Sequence, residues 1–492
     1  MSVTDTKEYC ETVIKKLKKG LNNEIYRGQY EKALQLIEVI CYLLYEYNQS
    51  YKDSEIEERV SDIAKNISSN KTLKWTDDNT ILFYDGFGFN TRGLAAIYLK
   101  ALCKIGKVIY LVDASRKKQI PNLLAIMEKN AGTVIFMDEK KHLNKINFIE
   151  NIIEQYIPGH IFMYTWPNDV DISIVSQHYA GVTKRYQVNL TDHAYWLGVN
   201  SFDYCIEFRD YGASISHNFR GIPKEKLIKL PFYPIIDYEM EFQGYPMDFN
   251  ENEHRLVFSG GNLQKTLGAD NEYYRIVDRL LEKYPDIIFW YAGRGDSTEL
   301  DKAIKKHPNR IIHTDERDDL YQVLKKCCFY LSTYPVGGGL MFQYAAMAGK
   351  APMTLKYDEM VDGFLTDQNN LGIEYYSEEE LLSEIDKMLL NPDYRKKKEE
   401  CLRKSVMAET EFEVQLKNLV CNGKTIYPVT ISRVDTTQFR AEYLKRLNKA
   451  KIDMCVVKKG DPVVMKYLFK EYCIGGVLKS YREIKFKFLN RL

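Results

Sequence analysis

The sequence has no stretch of about 18 apolar residues, so no transmembrane helix is expected from it. Its opening, MSVTDTKEYCETVIKKLKKG, lacks an apolar run behind a basic one, so no secretory signal is expected either. Charge of one sign is missing too: 69 Lys and Arg stand against 68 Asp and Glu, a net of +1. A nucleic-acid binder usually carries a clear basic surplus, so nucleic acid is not an expected partner. The ten cysteines are scattered without a C-x-x-C pair, and the eight histidines are equally dispersed. That leaves no clustered ligands for a zinc site, and it reads as the reduced, mostly buried thiols of a cytoplasmic protein. The G-x-x-x-x-G-K-[ST] signature is absent, which argues against a P-loop nucleotidase.

What is present is a globular balance, 45% hydrophobic and 28% charged, unlike that of a disordered or collagen-like chain. At 492 residues the chain exceeds the roughly 250–300 at which one core stops growing, so two or three domains are expected. Residues 1–75 read as a helical appendage. Ala33, Leu34, Ile37, Ile40, Cys41 and Leu44 fall at helical spacing within 28–49, and a second helix is expected over 54–66.

From residue 80 the pattern changes to short apolar runs separated by helices. ILFYDG (81–86), KVIYLVD (107–113), TVIFMD (133–138) and HIFMYTW (160–166) are the clearest, with further strands near 186–190 and 203–208. Such alternation predicts a parallel sheet with crossover helices, an α/β domain over 76–245. Residues 231–253 carry three prolines, Gly244 and no periodicity, and read as a linker. The alternation restarts over 246–425, with strands expected at 255–261, 286–295, 309–315, 328–335, 351–357 and 371–376 and helices over 377–420. The end, 426–492, reads as a basic helical tail. From residue 433 it holds 15 Lys and Arg against 6 Asp and Glu, a local +9 that leaves about −8 elsewhere.

Ligands of open parallel sheets bind beyond the carboxyl ends of the strands, so residues just past strands are the informative ones. Gly86 and Gly88 of DGFGFNTRG follow a strand and open a helix, where glycine admits a phosphate or sugar to the backbone and Arg92 adds charge. A plain tight turn uses the same glycines. In TYPVGGGLMFQYAAMAGKAP, Gly337, Gly338, Gly339, Leu340 and Met341 bring backbone N–H groups to a helix start, a nest for a diphosphate. Tyr334 and Gln343 flank it, with groups suited to a ribose or sugar hydroxyl. Asp192 and His193 of DHAYWLG place a carboxylate beside an imidazole, a pair suited to general-base work. Gly260, Gly261 and Lys265 of SGGNLQK add a cation near the nest, and Arg294 of AGRG is a second. Arg209 is a lesser candidate, because an isolated Arg is usually a surface charge.

Two tandem Rossmann-like halves, SGG with Lys265, YAGRG, and the GGGLMFQYAAMAGKAP stretch resemble the GT-B glycosyltransferases. DHAYWLG and GGLMFQYA are similar to segments of bacterial sugar transferases of polysaccharide and surface-glycan pathways. The resemblance spans about 80–420 and implies two Rossmann-like domains facing a cleft, the N-terminal one for the acceptor and the C-terminal one for the nucleotide-sugar. The retaining GT-B enzymes carry two glutamates spaced by seven residues before an A-M-A-x-G-x-P stretch. Here neither is present, Gln343 is the nearest polar replacement, and retention of configuration is not implied.

The expected function is therefore transfer of a sugar from a nucleotide-sugar, UDP-linked by analogy, to a glycan, lipid-linked or protein acceptor. Lys265, Arg294 and the nest would steady the leaving diphosphate without a metal or other cofactor, and no D-x-D triplet is read at a strand end. His193 would take the acceptor proton, and Gly86, Gly88, Arg92 and Arg209 would line the acceptor side. A same-fold rival is a sugar-nucleotide epimerase. A rival of another class is a non-catalytic sugar-nucleotide or glycan-binding subunit. The tail interleaves cations with apolar residues, so an anionic membrane surface is its expected partner, at the inner face of the cell membrane.

Overall fold

β-Branched and aromatic runs such as KVIYLVD favour an extended backbone, and they bury side chains on both faces when helices cover both sides of a sheet. The computed structural model describes residues 3–67, 76–90, 93–268, 270–356, 363–366, 368–458 and 462–469. The described chain divides into two compact units. The first takes residues up to 207, 215–228 and 443 onward; the second takes 208–214 and 229–442.

The first sheet has seven strands: β1 (Asp77–Asp85), β2 (Lys107–Asp113), β3 (Thr133–Met137), β4 (Pro158–Tyr164), β5 (Lys184–Val188), β6 (Tyr204–Glu207) and β7 (Leu227–Lys229). Their order is β3-β2-β1-β4-β5-β6-β7, and the pairs from β3 across to β6 are parallel. Leu82 of β1 lies level with Ile109 of β2 and Ile161 of β4, and all three are buried. The order reverses between β1 and β4, the crevice where open sheets hold ligands.

The N-terminal helices are part of this unit's core rather than an appendage. Helix Tyr30–Tyr47 buries ten side chains, from Ala33 to Tyr47, because it is covered on several sides. Each large one contributes about 1.5–3 kcal/mol by leaving water. Helices Val3–Tyr26, His142–Tyr156 and Val170–His178 pack against it. Glu31 accepts the first N–H groups of helix His142–Tyr156, at 3.0 Å from His142 and 2.9 Å from Leu143, and so caps it.

From residue 443 the described part of the tail returns to the same helices, whereas 426–442 belong to the second unit. Lys451 meets Glu46 at 2.7 Å, Tyr9 donates to Asp453 at 2.8 Å, and Lys466 meets Glu24 at 2.8 Å. The Tyr467 ring covers Gly20, where a Cβ would come within 2.6 Å of it. Part of the tail's positive charge is thus spent on the protein's own carboxylates. Residues 470–492, where much of the expected membrane contact falls, lie outside the described residues.

The second sheet has six parallel strands, β8 (Arg255–Gly260), β9 (Ile287–Ala292), β10 (Ile311–Thr314), β11 (Phe329–Leu331), β12 (Pro352–Leu355) and β13 (Glu374–Tyr375), ordered β10-β9-β8-β11-β12-β13. Here the reversal falls between β8 and β11, the strands that lead into the SGG and GGG turns. The stretch read as a linker is a packed strap of this unit. Its Phe242, Tyr245, Met247 and Phe249 lie on a core that includes Phe258, Trp290 and Tyr330.

Candidate functional site

In the second unit the turns after β8 and β9 close on each other by backbone contact. Gly261 N–H donates to Ala292 at 3.0 Å, and Leu263 N–H to Arg294 at 2.9 Å. A Cβ on Gly260 would meet the Ala292 carbonyl at 2.9 Å, and one on Gly293 would overlap that of Gly261 at 1.9 Å. Gly261 has φ +137, which side chains rarely tolerate. These glycines are therefore required by the protein's own packing. Arg294 is two-thirds exposed beside an exposed Asp315 at 3.5 Å, a surface pairing worth little.

The turn after β11 leads through the buried Tyr334 and a cis Tyr334–Pro335 peptide into helix Gly339–Met347. Gly338 is its N-cap and offers no side chain of its own to the first turn. Gly337, Gly338 and Gly339 are not among the left-handed residues, and their smallness serves space instead. A Cβ on Gly339 would strike the Phe364 ring at 2.7 Å, whereas one on Gly338 would have ordinary room, 3.6 Å from the Lys265 ammonium. Gly337 through Met341 are partly exposed. The first turn thus starts between a cation and an aromatic ring, and among the described residues no side chain caps its leading N–H groups.

Gln343 does not present its amide to this turn. It is buried, and its Nε2 donates to Phe232 at 2.8 Å and to Phe364 at 3.1 Å, tying two segments to the helix. Arg209 is likewise no surface charge and is counted with the second unit. Its guanidinium lies 4.2 Å from the Phe364 ring centre, 4.6 Å from Tyr211 and 5.1 Å from Phe208. It backs Phe364, which the sequence reading did not single out.

In the first unit, Gly86 and Gly88 are packing residues. A Cβ on Gly86 would fall 2.0 Å from the Asp169 carboxylate, and Gly88, at φ +60, faces the Arg116 side chain. Asp85 governs the turn, accepting N–H groups from Phe87 at 2.9 Å and Gly88 at 2.8 Å and the Tyr110 hydroxyl at 2.8 Å. Arg92 lies outside the described residues. A D-x-D triplet does follow β4, at Asp169–Asp171, but both carboxylates serve the fold. Asp169 is held by Trp166 N–H at 2.8 Å, and Asp171 by His142 at 2.7 Å. Burial pushes the Asp85 carboxyl up to about 6 and the Asp169 carboxyl up to about 7.

Asp192 and His193 sit on the irregular loop after β5. His193 Nδ1 stands 3.4 Å from Asp192 Oδ1, with Asp192 buried and the imidazole 27% exposed. The loop is held by side chains from elsewhere. Arg220, fully buried, donates Nη2 to the carbonyls of Thr191 at 3.0 Å, Asp192 at 3.2 Å and Ala194 at 2.6 Å. Glu57 of helix Ser54–Ile67 accepts Gly198 N–H at 2.9 Å, and burial raises its carboxyl to about 7. Glu207, at the end of β6, is buried among Asn189, Cys205 and Ser216, and burial raises its pKa. Sequence reading singled out the loop and missed these holders, because their spacing in the chain, up to about 140 residues, carries no local pattern.

No protein-family profile and no curated protein sequence matches the chain. Solved structures match it in fold. A glycosyltransferase from Rickettsia africae aligns at TM-score 0.53 and 13% identity, over 72% of this chain and 100% of its own. An O-GlcNAc transferase mutant from Thermobaculum terrenum aligns at TM-score 0.52 and 13% identity, over 91% of this chain and 85% of its own. At such identity the likeness is one of fold, carried by the two parallel α/β sheets.

Proposed function

From the GT-B fold of glycosyltransferases as premise, we propose that this chain transfers a sugar from a nucleotide-sugar donor to an acceptor hydroxyl. The observation that carries the reading is the glycine N-cap of helix Gly339–Met347, uncapped by side chains among the described residues, beside the Lys265 ammonium. Four backbone N–H groups at a helix start lack helical partners, and the helix dipole favours negative charge there. A diphosphate leaving group fits that chemistry.

In the proposed step the acceptor oxygen forms a bond to the sugar's anomeric carbon while the bond from that carbon to the diphosphate oxygen breaks. Positive character grows on the sugar ring, and negative charge grows on the diphosphate. Lys265 and the N–H groups of Gly339, Leu340 and Met341 meet that charge at fixed positions, so no reorganisation is needed as it develops. His193 takes the acceptor proton, with Asp192 beside its Nδ1. The reading takes the donor as UDP-linked, the sugar as a hexose, the acceptor as a glycan, lipid-linked or protein hydroxyl, and the reaction as metal-independent. It also places the basic tail at an anionic membrane surface.

Thermal-shift measurement over UDP-, GDP-, CMP- and dTDP-sugars tests the donor assignment. A ligand at about 100 times its Kd adds about 2.7 kcal/mol of stability, a visible shift. Slow hydrolysis of the stabilising donor separates an enzyme from a binding subunit. Stabilisation by no sugar nucleotide would overturn the reading.

A further inference from the structure

Of the residues from Thr191 to Val199, His193 alone is not buried. An irregular loop buried at every other position must satisfy its backbone polar groups internally. This one does so with side chains that arrive from distant parts of the sequence. Arg220 takes the carbonyls of Thr191, Asp192 and Ala194. The remaining carbonyl of that run, on His193 itself, accepts from Asn48 Nδ2 at 3.1 Å. The same Asn48 amide accepts Tyr195 N–H through Oδ1 at 3.1 Å. One side chain therefore grips the two peptide groups that flank Ala194, the first of which carries the carbonyl of His193 itself.

Asn48 is itself fixed. It ends helix Tyr30–Tyr47 in a left-handed conformation, φ 44, with its N–H on the Leu44 carbonyl, and it is buried. Asn is one of the few side-chain-bearing residues that adopt this conformation readily. The carbonyls from 191 to 194 thus all point at two side chains, and the imidazole is left 27% exposed with Nδ1 beside Asp192.

We propose that Asn48 and Arg220 are positioning residues for His193, and that the N-terminal helical layer thereby belongs to the catalytic apparatus. The inference rests on the role given to His193 under the proposed function. The geometry does not require contact between either residue and a substrate. Asn48 acts through the peptide groups of His193 and Tyr195, and Arg220 through those around Asp192. Misplacing a base by about 1 Å costs on the order of a hundredfold in rate, so loosening the clip is expected to be felt mainly in kcat.

The test replaces Asn48 by Ala and by Ser in the full chain, alone and in a His193→Ala background. The expected result for Asn48→Ala is a fall in kcat of about tenfold or more, with donor KM and nucleotide affinity nearly unchanged; Tm falls as well, because two buried backbone groups lose their partner. In the His193→Ala background the same substitution is expected to add almost nothing, because its effect runs through the imidazole. A fall of equal size in both backgrounds, or a loss confined to KM or Tm, would overturn the proposal. Arg220→Lys is the second variant, because it keeps a buried cation near Glu207 while losing the planar guanidinium whose Nη2 reaches three carbonyls and whose Nη1 reaches Ser216. Amide hydrogen exchange at Tyr195 gives a readout that needs no turnover. Faster exchange in Asn48→Ala supports the clip even where wild type transfers no sugar, in which case the proposed function fails and the positioning stands. Unchanged exchange in an active wild type and variant sinks the positioning alone.

Discussion

The ring of Phe364 lies 2.7 Å from the point a Cβ on Gly339 would occupy. On Gly338, one residue earlier, that point has ordinary room and faces Lys265 at 3.6 Å. The neighbouring glycines should therefore fail differently when replaced. Gly339→Ala forces a ring to move in a packed site, at a cost of about 1–3 kcal/mol, and its Tm should fall by several degrees. Gly338→Val should fold normally, because its backbone, φ −120 and ψ 104, suits a β-branched residue. It should weaken UDP or GDP binding about tenfold or more by filling the space before Lys265. Calorimetric titration of both folded variants decides it, and an unchanged affinity in Gly338→Val would remove the diphosphate site.

His193 is the next test. His193→Ala removes the one partly exposed side chain between Thr191 and Val199 and leaves in place the backbone carbonyls that Asn48 and Arg220 hold. Turnover should drop by about 100-fold or more, the usual range for losing a general base, while nucleotide binding persists. Turnover near wild type would make His193 a structural residue.

Asp169 gives a prediction in pH. Its carboxyl is pushed up to about 7 by burial, far above the unfolded value near 4. The folded state therefore holds a proton through that window that the unfolded state has released. Stability from this group is full below about pH 4 and is lost as pH rises through about 7. Asp169→Asn keeps the acceptor for Trp166 N–H and cannot ionise. Its Tm should vary less than that of wild type between pH 5 and 8. Parallel Tm curves for the two proteins would show that Asp169 does not contribute the slope.

Much of the fold was legible because period and punctuation are local. KVIYLVD became β2 at the expected residues, and the other expected runs all hold strands; only the three-residue β7 was missed. It carries too few residues to show a period. The site was legible in part. GGG and DHAYWLG announce unusual backbone, yet their meaning depends on partners that spacing cannot reveal. Gly86 is glycine because of Asp169, 83 positions on, and Gln343 is a strut because Phe232 lies beneath it. A buried Arg such as Arg209 or Arg220 reads in sequence like any surface cation. Only the fold brings rings or carbonyls around it.

The tail supplies the last test. Lys451 and Lys466 are engaged by Glu46 and Glu24, so the described tail needs no external partner for those charges. Residues 470–492 still hold six Lys and Arg against two Glu, interleaved with apolar residues. Near an anionic surface each such cation adds about 1 kcal/mol, within a Debye length of about 10 Å at 0.1 M salt. The full chain should co-sediment with phosphatidylserine-rich vesicles at low salt and be released as salt rises. Deleting 470–492 leaves Tyr467 on Gly20 and Lys466 on Glu24, so the truncated chain should keep its Tm and lose the vesicles. Binding that survives the deletion would place the membrane contact elsewhere. Absence of binding at low salt would leave the protein's own carboxylates as the tail's partner.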